Sequence, residues 1–243
     1  DIDARTWKSG EQYAVKLSAV ALHDTAVTFS LEGHGLMRSE TVQTKDGKAE
    51  VTFDNLDVKE WNAEAPALYT IRYETPAGCV SEKIGFRTVS IQGDVFLVNG
   101  RKIKFHGVNH HDTSPTNGYT MTPDEIERDL LLCKEYNIDT VRTSHYPPDP
   151  LLLELADEMG IYIVDENDLE THGTFAHQLP PTYNSISHDP KWRPRYMDRI
   201  EHLYERDKIH GNTAVVMWSL GNESGGYRNT DAMYHYLKAH SPL

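Results

Sequence analysis

The chain has 243 residues, enough for two modest domains or one large one, and 38% of them are hydrophobic, so a sizeable core can form. Its 24 basic residues face 37 acidic ones, and the resulting net charge of −13 argues against nucleic acid or an anionic membrane surface as a partner. No apolar run approaches the length of a membrane span. Two cysteines, Cys79 and Cys133, make neither a disulfide framework nor a zinc cluster; they fit a reducing compartment, and a cytoplasmic location is expected. The chain starts at Asp1 with neither an initiator Met nor signal-peptide character and stops after a helix-like run at Leu243, so an internal fragment of something longer is expected.

Residues 1–90 read as β structure. Gln12–Val20, Ala26–Leu31, Ala49–Phe53 and Leu68–Tyr73 each alternate in part between apolar and polar residues, and Gly33, Asp46-Gly47 and Pro76-Ala-Gly78 punctuate them as turns. Short strands at this spacing predict an immunoglobulin-like sandwich, and the absence of a polar constellation favours a scaffold or spacer over a sugar-binding module. In Val95–Phe105 the Asn99-Gly100 pair between apolar flanks signals a hairpin.

Beyond Lys104 the pattern becomes strand, loop, helix, four times over. The first helix opens with Thr122-Pro-Asp-Glu125, a capping box with Pro at the first helical position, and aligns Ile126, Leu130 and Cys133. The second opens at Asp149-Pro150, carries Leu151, Leu152, Leu155 and Met159, and stops at Gly160. The third runs from about Pro190 to Ile209 with Trp192, Tyr196, Ile200 and Leu203 on one stripe, and the fourth starts near Asn229 and buries Met233 and Leu237. Asp139–Arg142, Ile161–Val164 and Ala214–Leu220 are the strands between them. Alternating elements imply a parallel sheet with right-handed crossovers, and four such units make the first half of a (β/α)8 TIM barrel over residues 91–243. A doubly wound sheet is the competing fold, but no Gly-rich phosphate loop succeeds the first strand.

The segments at the strand ends carry the chemistry. The first strand ends in His106-Gly-Val-Asn109-His110-His111-Asp112, the second in Arg142-Thr-Ser-His145-Tyr146, the third in Asp165-Glu166 through Glu170-Thr-His172-Gly173, and the fourth in Asn222-Glu223. Any one of these histidines or acids reads as a structural or solvated residue. Titratable clusters after four consecutive strands converge on one rim, which reads as an active-site floor. Such a rim suits glycoside cleavage: an acetal oxygen leaves poorly, so a protonated carboxylic acid must stand beside it, and Glu223 is the candidate. Asn222 suits a sugar 2-hydroxyl; His111, His145 and Asn109 suit other sugar contacts, and Arg142 suits orienting a carboxylate. Glu170-Thr-His172 alternates carboxylate and imidazole; with a third oxygen ligand it could hold a divalent cation, Mg²⁺ or Mn²⁺ rather than zinc.

Phe105-His-Gly-Val-Asn-His-His111, Val141-Arg-Thr-Ser-His-Tyr-Pro147, Val164-Asp-Glu-Asn-Asp-Leu-Glu-Thr-His-Gly173 and Trp218-Ser-Leu-Gly-Asn-Glu-Ser224 together resemble glycoside hydrolase family 2, and most closely its lactase-type β-galactosidases, over about residues 84–240. The resemblance implies a retaining hydrolase of β-galactosides such as lactose, with Glu223 as acid/base beside Asn222, and His111 and His145 contacting galactose and the transition state. It further implies Arg142 supporting the nucleophile, and Glu170, His172 and Glu223 as ligands of an active-site Mg²⁺. The nucleophilic glutamate and the rest of the barrel are then expected after Leu243, and a jelly-roll domain with substrate and Na⁺ contacts before Asp1. A homo-oligomeric parent and an inactive isolated fragment are expected as well. The alternatives are a β-glucuronidase-type member of the family, from which the Glu170-Thr-His172 arm separates lactase-type enzymes, and a non-catalytic carbohydrate-binding or assembly module.

Overall fold

The computed structural model describes residues 1–174, 185–208, 213–241 and 243. It divides into two compact units, Asp1–Lys104 with Asp157–Gly160, and Phe105–Ala156 with Ile161–Leu243.

Seven strands build the body of the first unit: β1 (Ile2–Ser9), β2 (Gln12–Val20), β3 (Ala26–Gly33), β4 (Leu36–Gln43), β5 (Lys48–Leu56), β6 (Leu68–Thr75) and β7 (Gly78–Gly85). They form two antiparallel sheets, ordered β1-β2-β5 and β4-β3-β6-β7. Alternate residues of both sheets, among them Val15, Leu17, Phe29, Leu31, Val51, Phe53, Tyr69 and Ile71, enter one shared core, which makes the unit a two-layer sandwich. The strands legible in the sequence, β2, β3, β5 and β6, are those with strong alternation. β1, β4 and β7 are not, because each lies at a sheet edge and leaves most of its side chains in water. A smaller sheet of β8 (Val89–Gln92), β9 (Val95–Val98) and β10 (Arg101–Lys102) comes next in the chain. Its hairpin turns on Asn99 and Gly100 at φ 51° and 71°, the left-handed pair that a two-residue loop needs to match strand twist. These strands group with the first unit.

The second unit runs β11 (Gly107–His110), α1 (Pro123–Glu135), β12 (Thr140–Thr143), α2 (Pro150–Met159), β13 (Tyr162–Glu166), α3 (Ser185–His188), α4 (Arg193–Asp207), β14 (Val215–Ser219) and α5 (Arg228–His240). Its four strands are parallel and neighbour one another in chain order, as crossover helices require. The capping box at α1 is present in full: Thr122 Oγ1 accepts from Glu125 N, and Glu125 Oε2 accepts from Thr122 N at 2.8 Å. Ile126, Leu130 and Cys133 are buried as expected, and so are Met233 and Leu237 of α5.

Three expectations are corrected. The first parallel strand is Gly107–His110 itself, so Asn109 and His110 end a strand instead of belonging to a loop after it. Glycine, asparagine and histidine have little intrinsic strand preference, and this segment is held extended by its pairing with Thr140–Thr143. In α2 the buried face is Leu152, Leu153 and Ala156, while Leu151, Leu155 and Met159 are half-exposed. Trp192 is 45% exposed, because it closes a 3₁₀ turn (Pro190–Trp192) ahead of α4 and does not share the helical stripe of Tyr196, Ile200 and Leu203. The proposed end of that helix at Ile209 lies outside the described residues.

The ladder register sorts chemistry from packing. Asn109 pairs with Arg142, Arg142 with Val164, Val164 with Met217, and Glu166 with Ser219. Residues in register share a face, so Asn109, Arg142, Glu166 and Ser219 line one side of the sheet. His110, Thr143, Asp165 and Trp218 line the other, toward the helices: His110 Nε2 lies 3.0 Å from Asp129 of α1, and Trp218 packs edge-on against Tyr204 of α4.

Candidate active site

Arg142 sits at the centre of the first face. Its Nε donates to Glu166 Oε2 at 2.6 Å and its Nη2 to Glu166 Oε1 at 2.8 Å, a bidentate fork. Nη2 also donates to Asn222 Oδ1 at 3.0 Å, and Nη1 to Asn109 Oδ1 at 3.3 Å. His145 Nδ1 lies 2.7 Å from Glu166 Oε1, and the rings of His145 and His111 meet edge to face with centroids 5.3 Å apart. His111 Nδ1 is 3.4 Å from the Tyr146 hydroxyl, which also accepts from Asp112 N. Thus Asn109, His111, Arg142, His145 and Asn222 form one connected group. The carboxylate that Arg142 grips within this chain is that of Glu166.

Glu166 is wholly buried, and burial alone would raise its pKa. Donors from Arg142, Ser219 and His145 outweigh that and hold the carboxyl below its ordinary value. Its importance is hard to see in the sequence, where Asp165-Glu166 reads as an ordinary acidic pair.

Glu170, His172 and Glu223 also come together. His172 Nδ1 is 2.8 Å from Glu170 Oε1 and 3.2 Å from Glu223 Oε2, and one donor atom from each of the three residues lies within 4.8 Å of the others. A small hard cation binds oxygen ligands at about 2.0–2.1 Å, so neighbouring ligands of its octahedron stand about 3 Å apart, the spacing His172 keeps to Glu170 and Glu223. Two carboxylates and one imidazole, all open to solvent, suit Mg²⁺ or Mn²⁺ with water completing the shell.

The loop carrying Glu223 is fixed against the one carrying Glu170. Asn222 N donates to Leu169 O at 2.8 Å, extending the parallel ladder into a bridge between Glu170 and Asn222. Gly221 allows this approach: a Cβ there would stand 2.6 Å from Leu169 O, and its φ of 139° disfavours any other residue. Glu223 itself takes a left-handed φ of 43°, uncommon for a residue with a side chain. A buried hydroxyl network holds the turn beyond it: Ser187 Oγ donates to Ser224 O at 2.7 Å and pairs with Tyr196 OH at 2.8 Å, and Thr171 Oγ1 donates to Ser224 O at 3.3 Å. Sequence reasoning placed Tyr196 on the helical stripe but missed Ser187 and Thr171, because nothing local marks a serine or threonine as a support for a loop dozens of residues away.

Residues 89–242 match the family described as glycosyl hydrolases family 2, TIM barrel domain. The chain is 48% identical over 195 residues to a β-galactosidase of Arthrobacter sp. (strain B7), a match covering 80% of this chain and 19% of that protein. It is 42% identical over 188 residues to a β-galactosidase of Pectobacterium atrosepticum, covering 75% of this chain and 17% of that protein. The chain therefore spans about a fifth of the length of these relatives. Among solved structures, a Lactobacillus rhamnosus β-glucuronidase superposes with a TM-score of 0.79 at 26% identity, covering all of this chain and 41% of that one. A β-galacturonidase from Eisenbergiella tayi, at a TM-score of 0.75 and 20% identity, shares the fold across all of this chain and 44% of its own. No helix among the described residues is long and apolar enough to cross a membrane. The chain belongs to glycosyl hydrolases family 2, and its second unit is part of that family's TIM barrel domain.

Proposed function

We propose that this chain is part of a retaining β-galactosidase that removes terminal β-galactose from β-galactosides such as lactose. The observation that carries the reading is the convergence of Glu170, His172 and Glu223 on one point beside the Arg142–Glu166 group. Relatives at 36–48% identity that bear the name β-galactosidase support it. In this reading the first unit is an immunoglobulin-like sandwich and the four βα units are the first half of a (β/α)8 barrel. The remaining half, with the glutamate nucleophile, belongs to a part of the protein that this chain does not include. Strand edges at β11 and β14, with Val108 and Met217 exposed beside them, suit continuation of the sheet by further strands.

Glu223 is the acid/base. Its carboxyl gives a proton to the departing glycosidic oxygen, and the resulting carboxylate then takes a proton from the water that releases the sugar. Asn222 is suited to orienting a hydroxyl: its Oδ1 accepts from Arg142, so its amide N–H₂ is left to donate to the sugar. His111 and His145 line the same group and are suited to hydroxyl contacts. Glu170, His172 and Glu223 would hold a divalent cation. Such an ion would add positive charge to the site and order the Glu223 side chain.

The test is hydrolysis of aryl β-galactoside and aryl β-glucuronide by the whole protein, with Mg²⁺ and with chelator. Galactoside turnover that falls on chelation, and a loss of about 10²–10⁴-fold in Glu223→Gln on substrates with poor leaving groups, is the expected result. Preference for the glucuronide, or indifference to chelator, would replace the β-galactosidase reading by a β-glucuronidase-type one. The β-glucuronidases among the solved relatives, at 26% identity, are the specific reason to include that arm. Absence of turnover on both would favour a non-catalytic carbohydrate-binding module.

A further inference from the structure

We propose that Glu166 is the positioning residue of this site, the group that aims both Arg142 and His145. This deepens the glycosidase reading above and rests on it.

The carboxylate is saturated. Oε1 accepts from Arg142 Nη2 at 2.8 Å and from His145 Nδ1 at 2.7 Å; Oε2 accepts from Arg142 Nε at 2.6 Å and from Ser219 Oγ at 2.7 Å. An ionised carboxylate offers about four lone-pair sites, and all are filled by four donors. Its backbone is tied as well, since Glu166 N donates to Thr143 Oγ1 at 2.9 Å. With no exposed surface and no free lone pair, Glu166 cannot touch a sugar, donate a proton or attack a carbon. Four donors from three elements of the fold nevertheless meet on it.

Those donors are constrained in turn. Arg142 can only donate, and Glu166 claims its Nε–Nη2 edge while Asn222 takes the second Nη2 hydrogen. Nη1, bonded to Asn109 through a long 3.3 Å contact, keeps one N–H uncommitted among the described residues. Any second anionic group must therefore approach Arg142 at Nη1, from a direction that Glu166 sets. At His145, Nδ1 faces a carboxylate and a guanidinium, of which the guanidinium cannot accept. The 2.7 Å contact is stable only if Nδ1 carries the proton and donates it to Glu166, which fixes the tautomer and leaves Nε2 as the atom offered to a ligand. One buried carboxylate thus orients an arginine, a histidine and, through the arginine, the amide of Asn222.

The experiment compares the whole protein with Glu166→Gln and Glu166→Asp. The first keeps shape and removes charge. The second keeps the charge but draws it back by a methylene, and serves if the glutamine variant fails to fold. Misplacement of positioning groups by about 1 Å costs about 10²-fold, so kcat/KM on the better of the two aryl glycosides should fall by about 10–100-fold. The affinity for a cationic iminosugar of the matching configuration should fall in parallel. The affinity for the free sugar should change by less than about threefold, because the groups affected are aimed at the transition state. A merely structural loss would lower the amount of folded protein without separating those two affinities. Both affinities unchanged, or both reduced alike, would overturn the proposal. If the unsubstituted protein cleaves neither glycoside, the glycosidase reading fails. The geometric claim is then judged on a crystal structure of Glu166→Gln, where Arg142 and His145 both in place would overturn it.

Discussion

Asp165 and Glu166 leave β13 toward opposite faces of the sheet, and their surroundings differ in the number of N–H and O–H donors within reach. Both are fully buried. Glu166 has four donors and stays ionised against the pull of burial. Asp165 has one long bond, from Thr143 Oγ1 at 3.4 Å, and its Oδ2 finds no donor among the described residues. Its neighbour is a second buried acid, Asp207, whose two oxygens are already taken by Arg206 Nε at 2.5 Å and Nη2 at 2.7 Å. Burial first, and then the Asp207 charge, push the Asp165 carboxyl well above the usual carboxylate range. A proton kept between the two acids converts two facing acceptors into a hydrogen bond. The face of the sheet that carries Arg142 therefore holds an ionised carboxylate, and the helix-facing side holds an acid that keeps its proton to higher pH.

Breaking the donor set on the first side should have the largest effect. Arg142→Met leaves Glu166 charged, buried and without its fork. Removing one partner of a buried pair costs about 3–5 kcal/mol, and the loss here should sit toward the lower end because Arg142 is partly exposed. Urea unfolding of the whole protein, monitored at the barrel transition, measures it, and a loss under about 1 kcal/mol would mean that Glu166 is protonated or rehydrated instead. Ser219→Ala should cost less, about 1.5–3 kcal/mol for one bond to a charged group. Its pH dependence is the sharper readout. A carboxyl held below its ordinary pKa contributes stability that is present above the unfolded value and lost as pH falls through the folded one. With one donor gone the folded pKa moves up, so the acid-side loss of stability in Ser219→Ala should begin at higher pH than in the unsubstituted protein.

Much of this arrangement is legible in the sequence. The β-branched runs ending in Arg142, Val164 and Leu220 place β12, β13 and β14 to within two residues, and the glutamate, histidine and asparagine at their ends mark the site. The hidden part depends on register. Alternation sends Asp165 and Glu166 to opposite faces, but only the pairing of β12 and β14 on either side of β13 brings Arg142 and Ser219 together onto one carboxylate. The edge strands β1, β4 and β7 and the strand at Gly107–His110 escape for a related reason. Their strand state comes from partners in the ladder, and their side chains carry little apolar alternation of their own.

The last expected effect has the opposite sign. Asp165 keeps a proton in the folded state that it would lose in the unfolded chain near the ordinary carboxylate pKa. The folded state therefore binds more protons than the unfolded state between those two values, and stability falls as pH rises through that window. Asp165→Asn places an amide where the shared proton stood: its N–H₂ can donate to Asp207, and nothing remains to ionise. The Asn variant should match the unsubstituted protein near pH 4 and exceed it progressively as pH rises, by no more than about 1.4 kcal/mol per pH unit for one proton. Thermal midpoints of the barrel transition from about pH 4 to about pH 9 trace the divergence. Parallel curves would mean that Asp165 is ionised in the fold, and that Arg206 serves both acids rather than Asp207 alone. Curves that separate on the alkaline side for Asp165→Asn and on the acid side for Ser219→Ala would place two opposite proton affinities on adjacent residues of one strand, assigned by nothing more than which face of the sheet each side chain leaves.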